Sequence, residues 1–303
     1  MTIMQHLNRR TFLAASSCLV LSGPVAIASP ASGFAGRIEA IRDRIGGRLG
    51  LHVLDTQTGR RWAFDDGSRY STASTFKMLL AAAILQRADL GTINLDQQLQ
   101  VRESDMLSHA PVTSKHLDSP MTVRELCAAV VEVSDNPAAN LLLKMIDGPA
   151  GLTRFLRSIG DRETRMDRYE LELNSNLPGD PRDTTTPRAM VHSMEQVLTK
   201  QVLSPASREL LLGWMINAST GLKMFRLGLP AEWKIGDKTG KGANGAVNDL
   251  VIAWPPGRKP VLVALYLSDS SRTVDELSAV HAEVAAIVAR EVAGPPDPKK
   301  SSF

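Results

Sequence analysis

Cysteine is nearly absent from this chain, with two residues in 303, Cys18 and Cys127, and the first lies in an N-terminal segment that reads as removable. A single remaining thiol closes no intrachain disulfide, so the fold must be held by its core, which a chain of this length can bury. Cys127 lies within Leu126-Cys127-Ala128-Ala129-Val130-Val131, a setting for a buried small hydrophobe rather than a nucleophile. Charge of one sign is also lacking. The 35 basic and 32 acidic residues are interspersed, the net charge is +3 and no basic stripe runs along the chain, which removes the electrostatic case for nucleic acid and favours a small-molecule partner. No segment approaches the ~20 uninterrupted apolar residues of a membrane span. The nearest, Leu13 to Ile27, is broken by Gly23 and Pro24, so no stable span is expected.

That segment has another reading. Asn8-Arg9-Arg10-Thr11-Phe12-Leu13 precedes the apolar stretch, which ends at Ala26-Ile27-Ala28, a small-residue cleavage pattern. Residues 1–28 look like a twin-arginine export signal, with a general secretory signal as the alternative, and the mature chain is expected to begin near Ser29 in the periplasm.

Apolar spacing predicts a helix over Phe34 to Ile45, then strands Leu49 to Leu54 and Arg61 to Phe64 flanking Thr56-Gln57-Thr58-Gly59 as a hairpin. The middle reads as helical: Thr75 to Leu90, a helix opened by the capping box Thr122-Val123-Arg124-Glu125 and running to Val133, then Asn136 to Ile146, Pro149 to Ile159, Pro187 to Leu198 and Pro205 to Ile216. Strand character returns at Trp233 to Ile235, Asp249 to Trp254 and Pro260 to Leu267, before an amphipathic helix from Val274 to Val292. Strands at both ends with helices between predict an α/β (α+β) unit. A five-stranded antiparallel sheet is covered by the terminal helices, an all-helical lobe stands beside it, and a cleft lies between. On this reading residues 29–303 form one catalytic domain, its α/β lobe at about 29–66 and 218–293 and its helical lobe at about 67–217, with 294–303 as a frayed tail.

Four short segments carry chemistry: Ser74-Thr75-Phe76-Lys77, Ser134-Asp135-Asn136, Glu170-Leu171-Glu172-Leu173-Asn174 and Lys238-Thr239-Gly240. A serine hydroxyl is a weak nucleophile at neutral pH and needs a base, a proton donor for the leaving group and an oxyanion site. Ser74 precedes a helical run, where N–H groups favour developing negative charge, and Lys77 shares its face one turn on. Each segment alone has a plainer reading as a helix cap, a solvated acidic loop or a strand end. Together they supply the parts of a serine acyl-transfer site.

SxxK, SDN and KTG in this order, with a glutamate between the second and third, resemble the signature of the class A serine β-lactamases. The resemblance covers nearly the whole mature chain. It implies an exported hydrolase that opens the β-lactam ring through an acyl-enzyme on Ser74, conferring β-lactam resistance, as a monomer without metal or organic cofactor. It implies that Lys77 takes part in activating Ser74, that Ser134 delivers the proton to the departing nitrogen and that Glu170 with Asn174 holds the deacylating water. The oxyanion hole would be the backbone N–H groups of Ser74 and Lys241. Asn136, Lys238, Thr239 and Gly240 would bind substrate, Asn140 would brace the loop at Glu170, and Arg168 would pair with Asp183 at the loop's neck.

Departures from the family pattern are also visible. Val247, Leu277 and Met224 stand where an arginine often lies near the substrate carboxylate, so Lys241, Arg226 or Arg272 is expected to substitute. His109 stands where an aromatic residue usually flanks the entrance and is expected to contact substrate. Ala73 and Gly242 occupy the positions of a disulfide found in one carbapenem-hydrolysing branch, which favours penicillins or cephalosporins as substrates. The alternative reading is a penicillin-binding DD-carboxypeptidase or transpeptidase, which lacks the deacylating loop. A non-catalytic β-lactam sensor and an esterase or amidase on the same scaffold are further alternatives. Glu170 and Asn174 discriminate against the penicillin-binding reading.

Overall fold

A computed structural model describes residues 33–294, so the expected leader and, beyond Gly294, the expected tail lie outside the described residues. Helix α1 (Phe34–Ile45) turns Ile38, Ile41 and Ile45 inward at helical spacing and stops at Gly46, whose φ of 63° suits glycine. The chain continues through β1 (Arg48–Asp55), β2 (Arg61–Phe64) and β3 (Tyr70–Ser71) into α2 (Phe76–Asp89). Next come β4 (Gln98–Gln100), β5 (Pro120–Thr122), α3 (Val123–Glu132), α4 (Asn136–Lys144) and α5 (Gly148–Ser158). After β6 (Thr184–Thr185), α6 (Pro187–Thr199) and α7 (Pro205–Asn217), the strands β7 (Lys234–Lys241), β8 (Val247–Trp254) and β9 (Val261–Ser268) lead to α8 (Val274–Ala293).

The main sheet is antiparallel in the order β2-β1-β9-β8-β7, so the early hairpin joins the late strands as expected. Period-two alternation divides its side chains between two cores. Leu49, Leu51 and Val53 of β1 and Val261, Val263 and Leu265 of β9 pack with α1 and α8, whereas Leu54, Leu262, Ala264 and Tyr266 join the helical core on the other face. Helix α6 lies across β1 and β9 on that second face. Helix α2 is buried from Phe76 to Leu85 and forms the axis of the helical layer. Such a helix is fixed by packing on all sides, at about 1.5–3 kcal/mol for each large apolar side chain buried. That rigidity is passed to Ser74 and Lys77 at its N-terminal end.

Helix starts follow local chemistry. Thr122 caps α3 and exchanges hydrogen bonds with Glu125, while α4, α6 and α7 begin with a capping Asp135, Thr186 or Ser204 and a proline in the first turn. Three differences from the sequence expectation matter. The extended run predicted at Trp233 to Ile235 continues as one strand to Lys241, paired residue by residue with β8. The two-residue pair β3–β6 joins the approach to Ser74 with the segment after Asp183. Ser74 itself lies in a turn of 3-10 helix over Ala73–Thr75 rather than at the start of the α-helix.

His281 of α8 is fully buried and donates from Nε2 to the carbonyl of Val247 at 3.1 Å, and burial pushes its pKa down to about 4. The unfolded chain takes this proton near pH ~6.5. Between that pH and the folded value the unfolded state binds more protons, so stability falls as pH falls through the window, by roughly 3 kcal/mol in total. His281→Gln, which keeps a donor but does not titrate, is expected to flatten the pH dependence of Tm between about pH 6.5 and 4. An unchanged profile would remove His281 as its source.

Candidate active site

Lys77 organises the cleft. Its side chain is fully buried, with Nζ 2.9 Å from Glu170 Oε1, 2.9 Å from the Ser134 carbonyl and in hydrogen-bond contact with Asn136 Oδ1. Burial lowers its pKa and outweighs the opposing pull of Glu170. Lys238, also fully buried, donates to Ser134 Oγ at 3.1 Å and to the Thr239 carbonyl at 2.8 Å. Its pKa is brought down to about 7, first by burial and then by the neighbouring Lys77 charge. Ser134 therefore lies between two amines, and its Oγ is 3.5 Å from Lys77 Nζ. A hydroxyl flanked by two lysines with depressed pKa values is equipped to pass protons.

Ser74 is the partly exposed residue of its turn, while Ala73 before it holds a left-handed φ of 40°. Strand β7 passes close by. A Cβ on Gly240 would meet the Thr72 carbonyl at 3.0 Å and the Ser74 nitrogen at 3.1 Å, so glycine permits this approach. The next residue, Lys241, ends the strand with its side chain exposed. Its backbone N–H and that of Ser74 lie on facing segments at this crossing.

The segment carrying Glu170 is tied at several points. Arg168 Nε donates to Asp183 Oδ2 at 2.6 Å, and Asp183 Oδ1 accepts from the backbone N–H groups of Asp167 and Arg168 at 2.7 and 3.0 Å. Asn140 grips the Glu170 backbone at both ends, donating to its carbonyl and accepting from its N–H, each at 3.0 Å. The Glu170 side chain then accepts from Asn174 Nδ2 at 2.5 Å. Among the described residues, Asn174 Oδ1 is a buried acceptor without a hydrogen-bond donor, and Glu170 Oε1 has the Lys77 ammonium alone. Two neighbouring acceptors of this kind suit a water that gives both its protons.

The 134–136 turn is set by Asp135, fully buried, which accepts from Val112 and Thr113 N–H groups, Thr113 Oγ1 and Ala138 N–H at 2.8–3.1 Å. Ser134 is held at φ 63°. Asn136 Nδ2 donates to the Ser108 carbonyl at 2.7 Å. His109 is exposed, but its Nε2 is committed to the Val133 carbonyl at 2.8 Å, so it also holds this turn in place. Of the three cations expected to replace a carboxylate-binding arginine, two are engaged elsewhere. Arg226 makes a double contact with Asp237 at 2.9 and 3.0 Å, and Arg272 reaches Glu276 and the Arg44 carbonyl at 3.4 Å each. Lys241 has no such partner among the described residues.

The sequence reading missed Thr220, which accepts from Thr239 Oγ1 at 2.6 Å, and the place of Asn248, whose Nδ2 donates to the Ser71 carbonyl at 2.9 Å behind the Ser74 turn. Neither lies in a motif, and only the fold brings them to the site. No group of three or more His, Cys, Asp or Glu side chains among the described residues is placed to hold a metal ion.

A partly exposed serine beside α2, two buried lysines of depressed pKa and a buried glutamate are thus gathered in one cleft. The chain matches the β-lactamase enzyme family over residues 33–292 and belongs to it, as a class A member. It is 41% identical to β-lactamase L2 of Stenotrophomonas maltophilia, over 94% of this chain and 99% of that protein. Among solved structures, an ancestral Gram-negative class A β-lactamase superposes with TM-score 0.84 at 50% identity, covering 84% of this chain and 98% of that one. A β-lactamase from Xanthomonas campestris pv. campestris gives TM-score 0.83 at 46% identity, covering 86% and 99%.

Proposed function

We propose that this enzyme hydrolyses penicillins and cephalosporins through a covalent acyl-enzyme on Ser74, and that it is exported as a monomer to the periplasm by the twin-arginine route. The observation that carries the mechanism is the Lys77–Glu170 contact at 2.9 Å with Asn174 on the other carboxylate oxygen, which puts a base for deacylation beside the nucleophile's own lysine. Ser74 Oγ attacks the lactam carbonyl and gives its proton to Lys77, or to Glu170 through water. The oxyanion accepts hydrogen bonds from the N–H groups of Ser74 and Lys241. The carbonyl carbon–nitrogen bond breaks, and the nitrogen takes its proton from Ser134, which is resupplied by Lys77 or Lys238. Glu170 then takes a proton from a water held with Asn174, the hydroxide attacks the ester, the acyl carbon–Oγ bond breaks, and Ser74 leaves with the proton returned from Glu170 through Lys77. The substrate carboxylate is bound by Lys238, Thr239 and Lys241, with Asn136 on the substrate amide and His109 shaping the entrance.

Intact-protein mass spectrometry during incubation with excess benzylpenicillin tests this reading. Complete drug hydrolysis with a transient or undetected adduct supports turnover. A lasting one-to-one adduct with little hydrolysis would select the penicillin-binding alternative.

Lys241→Ala keeps the backbone N–H of the oxyanion hole and removes only the exposed charge. It is expected to raise KM for benzylpenicillin about tenfold with a small change in kcat, the pattern of lost uniform binding. An unchanged KM for every penicillin and cephalosporin assayed would exclude Lys241 as the carboxylate's cation.

A further inference from the structure

A concavity of about 630 Å³ lies where β1 and β2 meet α6, at the far edge of the sheet from β7 and the catalytic cleft. Four strand spacings separate the two edges, roughly 19 Å at the usual interstrand distance. Its wall is apolar on one side, with Leu54 from β1 and Ala189 and Val191 from α6. Such a volume is of the size that holds small organic ligands.

Its polar groups are fixed in position. His52, 6% exposed, has Nδ1 2.7 Å from Asp66 Oδ2, and Arg188 clamps both oxygens of the same carboxylate at 2.7 and 3.0 Å. Burial lowers the His52 pKa despite Asp66, so the neutral ring donates through Nδ1 and keeps a lone pair on Nε2. His192, on the same cavity, donates from Nε2 to the Ile159 carbonyl at 3.1 Å, and its Nδ1 has no hydrogen-bond partner among the described residues. At the rim, among the described residues, Arg162 has no hydrogen-bond or ion-pair partner, and Arg61 has the Gly59 carbonyl alone, at 3.1 Å. Arg61 pairs with Leu54 across β1 and β2 and so shares its face of the sheet. The carboxylates around the cavity are already engaged: Asp66 with Arg188, Glu163 with Arg69 and Glu195 with Lys200. Asp161 accepts from Ser193 and the backbone of Glu163 and Thr164.

We infer that this cavity is a second ligand site, for a small organic anion whose acidic group meets Arg61 and Arg162 while a hydroxyl or N–H donates to the imidazoles of His52 and His192. The apolar wall takes the body between the two ends. Uncommitted cations at the mouth and uncommitted acceptors inside impose that polarity on the ligand.

The probe is 4-hydroxybenzoate, which carries a carboxylate and a donor at opposite ends of a flat apolar ring. It is titrated into the full chain while the imidazole nitrogens are followed by NMR, with 4-hydroxybenzyl alcohol as the neutral control. Expected are saturable shifts of the His52 and His192 rings with Kd on the order of 1 mM, and several-fold weaker binding of the alcohol. The exposed pair R61E/R162E should bind about tenfold more weakly with hydrolysis at Ser74 unaltered. R162Q, a milder change, should weaken binding several-fold. The proposal fails if neither ring shifts saturably, if the alcohol binds as well as the anion, if these substitutions leave Kd unchanged, or if the shifts map only to the Ser74 cleft.

Discussion

Glu170→Gln is expected to leave a protein that opens one equivalent of benzylpenicillin and then stalls, with kcat reduced about a thousandfold, within the range for loss of a general base. The amide has nearly the shape of the carboxylate and can keep its contacts with Asn174 and the Asn140-braced backbone. What it loses is the ability to take a proton from water. It also removes the negative charge beside fully buried Lys77, which together with the Lys77–Glu170 hydrogen bond holds the Lys77 pKa up. The amine is then more readily neutral, so acylation through Lys77 can continue while deacylation cannot. Mass spectrometry should show a stoichiometric adduct on Ser74 persisting for many times the native turnover time. If no adduct accumulates and the rate of acylation falls as far as kcat, Glu170 is the base for the first step as well.

Much of this architecture is legible because its determinants are local. The Thr122–Glu125 capping box, the Asp135, Thr186 and Ser204 caps and the apolar spacing of α1 each write a helix boundary into a few residues. The C-terminal half of β7 is different. Gly236-Asp237-Lys238-Thr239-Gly240-Lys241 carries no β-rich alternation, and it is extended because β8 pairs with it along its length. The reactive triplets show in sequence as triplets, but their assembly depends on contacts between distant segments. Asn248 bonds the Ser71 carbonyl 177 residues away, and Lys238 reaches Ser134 across 104. Arg226 shows the same limit from the other side. It looks in sequence like a free cation near the KTG segment, whereas a buried partner on β7 has already claimed it.

That partnership carries the second large effect. Arg226 spans both oxygens of fully buried Asp237 and donates to the Met215 and Ile216 carbonyls at 2.9 and 3.1 Å, tying β7 to the end of α7. Asp249, across from Thr239 on β8, is also fully buried, and no side chain among the described residues hydrogen-bonds to its carboxylate. Burial raises the pKa of both carboxylates, while the Arg226 charge opposes the rise at each. Arg226→Ala would leave this region without its guanidinium, a change that costs about 3–5 kcal/mol when one member of a buried pair is removed. At about 2 °C per kcal/mol for a domain of this size, Tm should fall by roughly 6–10 °C near pH 7.5. The loss should be smaller near pH ~5 than near pH ~7.5, because a raised folded pKa moves protonation of these carboxyls toward higher pH and a neutral carboxyl needs no counter-charge. Since Lys238 follows Asp237 directly and Thr239 pairs with Asp249, a loosened β7 should also raise KM for benzylpenicillin. Equal Tm losses at the two pH values would mean that the guanidinium serves through its carbonyl contacts and packing, and that its charge is not what the buried carboxylates require.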